Sequence, residues 1–218
     1  MYLCPENFKI KKMAKTDQQI RGKVGNTIFY RVDGETRVRS TAADFRDANS
    51  DDQRSLRSRL RVATSFYQRL VGVISREIWK QAANGTGKNG FNLFMKENML
   101  VFNADGKIGD FSRLSLTAGA LQEVNHLEAV VDDEDRVTLT WDGDAGLPSA
   151  GASDRLGVLV LYGNHSFSPV LVDGIEATRA DRVTAFRLKR QPGITAHVYC
   201  FFSGQDGKTC SPTQYLRL

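Results

Sequence analysis

The stretch HLEAVVDDEDRVTLTWDGD, residues 126–144, decides the fold class of this chain. It contains two short runs rich in β-branched residues, HLEAVVD (126–132) and RVTLTWD (136–142), with an acidic turn after each. Apolar and polar residues alternate along RVTLT, as expected for a strand with one buried face. The stretch therefore predicts two antiparallel strands joined by a short turn.

Similar runs continue from about residue 107 to the end of the chain. The others are FSRLSL (111–116), RLGVLVLYG (155–163), SPVLVD (168–173), RVTAFRLK (182–189), TAHVYCFFSG (195–204) and SPTQYLRL (211–218). Turn residues such as DDED, DGDAG and QDGK separate them, and no helical pattern lies between them. About seven short strands in this arrangement predict an antiparallel β-sandwich.

The N-terminal half has a different residue pattern. IRGKVGNTIFYRVDGETRVRS (20–40) predicts a hairpin around an Asp-Gly turn. This hairpin is either a solvated ribbon that packs on the following helix or a basic ribbon that contacts phosphate or an acidic partner.

Residues 51–82 predict a long helix, because Ser50 and Gln53 form a capping box and apolar residues recur at helical spacing. The apolar stripe comprises Leu56, Leu60, Ala63, Tyr67, Leu70, Val71, Ile74 and Ile78. Five cations on the opposite side form either a solvated face or a surface for nucleic acid or another polyanion. NGTGKNG (84–90) ends the helix and lacks the GxxxxGK[ST] spacing of a phosphate-binding loop. Residues 90–102 predict a second, short helix.

The balance of charged residues changes at the same place in the chain as the residue pattern. Residues 1–100 hold 19 Lys and Arg against 10 Asp and Glu, and residues 101–218 hold 11 against 15. This asymmetry favours one electrostatic role in the basic half. The candidate polyanion-binding residues are Arg31, Arg37, Arg39, Arg54, Arg61, Arg69, Arg76 and Lys80.

Residues that could carry chemistry are scattered. His126, His165 and His197 lie on separate predicted strands or loops, and the acidic turns lack the EF-hand pattern. No paired carboxylates and no metal-ligand spacing of Cys and His are evident. We therefore expect no catalytic residues, no cofactor, no metal and no small-molecule substrate.

The cysteines are expected to be free thiols. A turn centred on Asp206-Gly207 places Cys200 opposite Thr213 and Cys210 opposite Ser203, which is too far out of register for a disulfide. Cys4 is the third free thiol.

The start of the chain lacks the apolar core of a secretory signal, and no run approaches the ~20 apolar residues of a membrane span. We expect residues 1–13 to be a disordered extension, with Met1 or Met13 as the start. The protein is expected to be cytoplasmic as synthesised, with virion or surface association left open.

Several stretches resemble known folds and families. VTLTWDGD (137–144) and PGITAHVYCFFSGQDGKTCSP (192–212) look like the second strand and the last hairpin of a fibronectin type III domain. GKVGNTIFYRVDGETRVRS, QRSLRSRLRVA and DFSRLSLTAGAL, together with the later strands, resemble an uncharacterised Bacteroidetes family, domain of unknown function 6266. The likeness spans residues 20–217 and implies a Bacteroidetes or phage origin without implying an activity.

These observations predict an α+β protein in two parts. Residues 14–105 form a basic module of a β-hairpin plus helices, residues 106–121 connect, and residues 122–218 form a β-sandwich of the fibronectin type III or immunoglobulin-like kind. We expect a non-catalytic interaction or structural protein, with a protein partner or self-assembly. In that case the sandwich is a partner-facing or spacer module and the basic half serves for assembly or anchoring. The alternative is a nucleic-acid-binding protein that uses the basic helix face and the hairpin.

Overall fold

The chain is an α+β protein with two compact units. The computed structural model describes residues 15–16, 20–32, 34–41, 47–143 and 149–218. One unit comprises residues 1–49 and the other residues 50–218. The predicted extension at residues 1–13 lies outside the described residues.

The first unit contains an antiparallel sheet of four strands in the order β1–β4–β3–β2. The strands are β1 (Lys15–Thr16), β2 (Gly22–Val24), β3 (Thr27–Val32) and β4 (Glu35–Ser40). Val32 lies opposite Glu35, so the chain reverses direction between these two residues. Gly34 has φ +82°, the positive value that tight hairpin turns favour. The predicted hairpin is confirmed as β3–β4, and a further strand pairs on each side of it.

The second unit begins with the helices α1 (Asp51–Val73), α2 (Arg76–Ala82) and α3 (Gly90–Asn98). The predicted capping box is confirmed. The Ser50 hydroxyl accepts a hydrogen bond from the Gln53 backbone N–H at 3.3 Å, and the Gln53 side chain accepts one from the Ser50 N–H at 3.2 Å. None of the described helices is long and apolar enough to cross a membrane.

The prediction of one continuous helix over 51–82 is wrong. The backbone is extended at Ile74, with ψ 157°, and Ser75 starts a new helix by accepting a hydrogen bond from the Glu77 N–H at 3.2 Å. A short hydroxyl side chain competes for backbone groups in this way and favours helix starts over helix interiors. The second helix is predicted over 90–102, but α3 ends at Asn98.

Seven strands follow among the described residues of the second unit. They are β5 (Glu128–Val131), β6 (Arg136–Thr140), β7 (Arg155–Tyr162), β8 (Val170–Leu171), β9 (Val183–Arg187), β10 (Ala196–Ser203) and β11 (Gln214–Arg217). They form the antiparallel sheets β5–β6–β9 and β11–β10–β7–β8. All lie within predicted runs, but FSRLSL forms a 3₁₀ turn at Phe111–Arg113. The Asp110 carboxylate accepts hydrogen bonds from the Ser112 N–H at 2.9 Å and hydroxyl at 2.6 Å, which favours a turn over a strand.

The central strands β7 and β10 contribute to two hydrophobic cores. Val158 and Val160 belong to a core shared with β6 and β9, whereas Leu159 and Leu161 belong to a core shared with the helices. Alternate residues of a strand point to opposite faces. Both faces of these strands are therefore covered, which explains why their sequences are almost continuously apolar.

The unit boundary differs from the one that charge and residue pattern predicted. The helices share a core with β7 and β10, so they belong to the same unit as the strands. The predicted connecting segment, 106–121, is hydrogen-bonded both to α2 and to the chain just before β11. Leu116 O accepts a hydrogen bond from Trp79 Nε1 at 3.2 Å, and Thr117 Oγ1 donates one to Ser211 O at 2.8 Å.

The apolar stripe of α1 is buried only in part. Leu56 and Leu60 are 57% and 44% exposed, whereas the core begins at Ala63. Phe66 and Trp79, which lie outside the predicted stripe, are fully buried. Periodicity indicates which side of a helix is apolar, but it does not indicate how far along the helix its neighbours extend.

Cys200 and Cys210 are buried free thiols, as predicted. Cys210 lies opposite Ser203, as expected, but Cys200 pairs with Gln214, one residue from the predicted position. The prediction for Cys4 lies outside the described residues.

Candidate functional site

Basic residues of the first unit gather on one face of its sheet. Arg37 lies opposite Tyr30, Arg39 lies opposite Ile28, and β2 places Lys23 opposite Ile28 on the other side. Directly opposed residues of antiparallel strands project to the same face. We call this set, Lys23, Ile28, Tyr30, Arg37 and Arg39, the basic sheet face.

Cations on the basic sheet face surround one aromatic ring. Lys23 and Arg39 are exposed, and Tyr30 and Arg37 are half-buried. Arg39 Cζ lies 5.9 Å from the centroid of the Tyr30 ring, close to the outer limit of a cation–π contact. The Arg37 guanidinium lies 3.8 Å from the Glu35 carboxylate. Among the side chains that the structure describes, the face therefore presents three cations and an aromatic surface to an anionic partner.

Arg31 does not belong to this face. It lies opposite Thr36, on the other side of the sheet, and donates a hydrogen bond to Gly34 O at 3.0 Å. Sequence reasoning grouped the hairpin arginines without their register, and it missed Lys23 and Tyr30. Pairing the strands about the predicted Asp-Gly turn would have placed Tyr30 opposite Arg37.

The predicted helix cations fall into two sets. On α1, Arg54 forms an ion pair with Asp51, Arg61 is exposed, and Arg69 donates a hydrogen bond to Phe167 O at 3.1 Å. The break at residues 74–75 places Arg76 and Lys80 on α2 instead. The five cations therefore do not form one continuous helix face.

Arg76 and Lys80 line a cleft together with residues of α1 and the start of α3. Lys80 Nζ lies 3.2 Å from the Glu77 carboxylate. Sequence reasoning placed both cations on a solvated or polyanion-binding face and did not predict the cleft.

The division of charge between the two structural units differs from the division between the two halves of the sequence. Residues 1–49 hold 10 Lys and Arg against 6 Asp and Glu, and residues 50–100 hold 9 against 4. The acidic remainder, residues 101–218, lies in the same unit as the basic helices. The asymmetry between the two halves is therefore largely internal to the second unit.

The rings of His126 and His197 lie within hydrogen-bond distance of a carboxylate and a phenol hydroxyl, respectively. His126 Nδ1 lies 2.5 Å from an Asp142 carboxylate oxygen, and His197 Nδ1 lies 2.8 Å from the Tyr215 hydroxyl. Burial, and then the charge of Arg217, lower the pKa of His197. In the described part of the chain, no three His, Cys, Asp or Glu side chains are placed to hold a metal ion.

The buried thiols are poor nucleophiles at neutral pH. Burial raises the pKa of Cys200 to about 12 and that of Cys210 to about 11. Reaction at sulfur requires the thiolate, so both side chains act as core residues.

Fold and surface together define an α+β protein with a small basic sheet unit and a larger unit that combines helices with two antiparallel sheets. The chain belongs to the family of unknown function DUF6266, which matches residues 18–217. The match includes the described strands β2–β4 and the whole second unit up to residue 217. No curated protein matches the sequence.

Proposed function

We propose that this protein is a non-catalytic interaction protein that binds a polyanion through the basic sheet face. The second unit then serves as a spacer or as the surface for a protein partner. The observation that carries the proposal is the convergence of Lys23, Arg37 and Arg39 on one face, where Glu35 is the one acidic residue of the four strands. Concentrated charge of one sign attracts partners of the opposite sign and accelerates their association.

We also propose a fibronectin type III-like sandwich for the strands of the second unit. The first, second and fifth strands, β5, β6 and β9, pair in one sheet, and the third, sixth and seventh pair in the other. This partition is shared with immunoglobulin-type sandwiches. The fourth strand, β8, pairs with β7, and Trp141 is buried in the core that both sheets share. Such folds support many functions, so the likeness supports an architecture and not an activity.

Nucleic acid is the polyanion that Tyr30 favours. Proteins that bind single strands combine backbone-tracking cations with aromatic rings on which bases stack. Tyr30 is half-exposed between Arg37 and Arg39, so one ring is available for such stacking.

The test is binding of the full chain to a labelled single strand, a duplex of the same sequence and heparin, each at two salt concentrations. If three cations contact phosphates, the single-strand salt slope is about −2, and binding weakens about 20-fold between about 50 and 200 mM salt. Binding to heparin alone would reject nucleic acid while retaining the polyanion proposal. Absence of binding to all three at low salt would reject both.

Origin and location stay predictions. They are a Bacteroidetes or phage source and a protein that is cytoplasmic as synthesised, with virion or surface association left open. Genomic neighbourhood tests them, since adjacent virion genes would favour a structural role in the particle.

A further inference from the structure

A cleft in the second unit lies between α1, α2 and the start of α3. Its volume is about 400 Å³, within the range of small-molecule sites. Tyr67 and Gln68 of α1, Arg76 and Lys80 of α2, and Phe91 of α3 are among its lining residues. The cleft belongs to the second unit, whereas the basic sheet face belongs to the first.

Two cations stand at the same side of α2 in this cleft. Arg76 and Lys80 are four residues apart, the spacing that places two side chains one above the other on a helix. Both are exposed. Lys80 Nζ is engaged by the Glu77 carboxylate at 3.2 Å, on a side chain that keeps 69% of its surface exposed. An anion in the cleft would therefore meet one guanidinium and one ammonium group.

The start of α3 adds backbone donors. Asn89 caps the helix by accepting hydrogen bonds from the N–H groups of Asn92 at 2.8 Å and Leu93 at 3.0 Å. Among the described residues, none accepts a hydrogen bond from the N–H groups of Gly90 and Phe91. Free N–H groups and the helix dipole make such a terminus attractive to anions.

Gly90 fixes this helix start against α2. A Cβ atom at Gly90 would lie 2.8 Å from the backbone nitrogen of Lys80 and 2.8 Å from the carbonyl carbon of Trp79. No side chain fits at that distance, so only glycine allows the two helices to approach this closely. The approach places Gly90 against the backbone of Trp79 and Lys80.

Tyr67 supplies an independent sign of a ligand. Its side chain is only 7% exposed, and its ring packs against Phe91 and Phe94 with centroid separations of 5.3 and 4.9 Å. The hydroxyl has no hydrogen-bond partner among the described residues, although Tyr67 lines the cleft. Burial raises the pKa of Tyr67, and the charge of Arg76 opposes that rise. The hydroxyl oxygen is not among the fully buried polar atoms of the described residues, so it stays open to the cleft and is placed to bond a ligand there.

We propose that this cleft binds the phosphate group of a small phosphate monoester. The cleft offers five donor groups, which exceed the about four acceptor positions of a carboxylate and suit the three terminal oxygens of a phosphate. They are Arg76, Lys80, the Tyr67 hydroxyl and the two backbone N–H groups. The Phe91 ring and the volume beyond the cations leave room for an apolar or aromatic body. The loop at 84–90 leads into the site but does not form a phosphate-binding loop, because side-chain donors come from α1 and α2.

Calorimetric titration of the full chain with phenyl phosphate, inorganic phosphate and benzoate tests the site. Phenyl phosphate is expected to bind with one-to-one stoichiometry and to bind more tightly than either of the other two. Loss of one charge-assisted hydrogen bond in Arg76→Gln or Lys80→Gln should weaken it about 10-fold. Tyr67→Phe, which keeps the ring, should weaken it about 5-fold. Arg61→Gln removes an exposed cation of α1 outside the cleft and is the matched control.

Glu77→Gln provides a test with the opposite sign. It releases Lys80 from its ion pair and should tighten phenyl phosphate binding about 3-fold, so a fold defect cannot mimic the result. Absence of binding by phenyl phosphate at about 10 mM would overturn the proposal, as would equal losses in Arg61→Gln and Arg76→Gln. A preference for benzoate would overturn the assignment to phosphate.

Discussion

Gly119→Ala is expected to destabilise the whole second unit. A Cβ atom at this position would lie 2.1 Å from the carbonyl oxygen of Cys210. That oxygen accepts a hydrogen bond from the Leu121 N–H at 3.2 Å, and Cys210 itself lies opposite Ser203. The segment at 114–121 and the end of the hairpin at Cys210 are therefore joined through their backbones. Neither can move away from the added Cβ atom without disturbing the other.

The expected cost follows from the contact. Overpacking in a well-packed region costs about 1–3 kcal/mol, and the clash with a backbone atom favours the upper end. Gly72→Ala is the matched control, because no atom lies within 4 Å of the added Cβ and the residue is in α1. Alanine is favoured over glycine in a helix by about 1 kcal/mol, so this variant should gain stability.

Urea unfolding followed by the far-UV circular dichroism of the helices measures both variants. With a slope of about 2–3 kcal/mol per molar, Gly119→Ala should lower the midpoint by about 1 M, and Gly72→Ala should raise it slightly. The helices and the connecting segment should unfold in one transition. An unchanged midpoint in Gly119→Ala would refute the claim that residues 106–121 are an integral part of the unit.

Three further changes test local contacts by the same unfolding measurement. Asp154→Ala should cost about 3 kcal/mol, because it breaks a 3.4 Å ion pair with the fully buried Arg179; a loss below about 1 kcal/mol would contradict this. Stability should fall as pH drops below 6.5, because burial and Arg217 lower the pKa of folded His197 and the unfolded chain then binds the proton first. His197→Gln should reduce that dependence, and an unchanged pH profile would reject the assignment. Ser50→Ala should cost about 1 kcal/mol through loss of the helix cap, and no measurable loss would mean that the capping box is not needed.

Local signals in the sequence predicted most elements. The capping box at Ser50 and the reversal between Val32 and Glu35 depend on neighbours within a few positions, so their structure follows from the local sequence. The break at Ser75 depends on a competition between helix propagation and a new cap, which periodicity does not report. The exposure of Leu56 depends on where other helices end.

The sites depended on long-range pairing. Lys23 and Arg39 share a face because two successive hairpins bring them to either side of Ile28. Tyr67 on α1 packs against Phe91 at the start of α3, although the whole of α2 lies between them in the sequence, and no local motif predicts that contact. Sequence reasoning therefore found most of the cations but not their grouping.

The most direct test of the central claim compares Arg39→Gln with Arg31→Gln in polyanion binding. The two variants lose the same charge from the same sheet, but Arg39 lies on the basic sheet face and Arg31 on the opposite one. Removing one phosphate contact should reduce the single-strand salt slope by about 0.7 and weaken binding in Arg39→Gln, and Arg31→Gln should retain the wild-type slope. Equal losses in both variants, or no loss in either, would contradict a binding surface on this face.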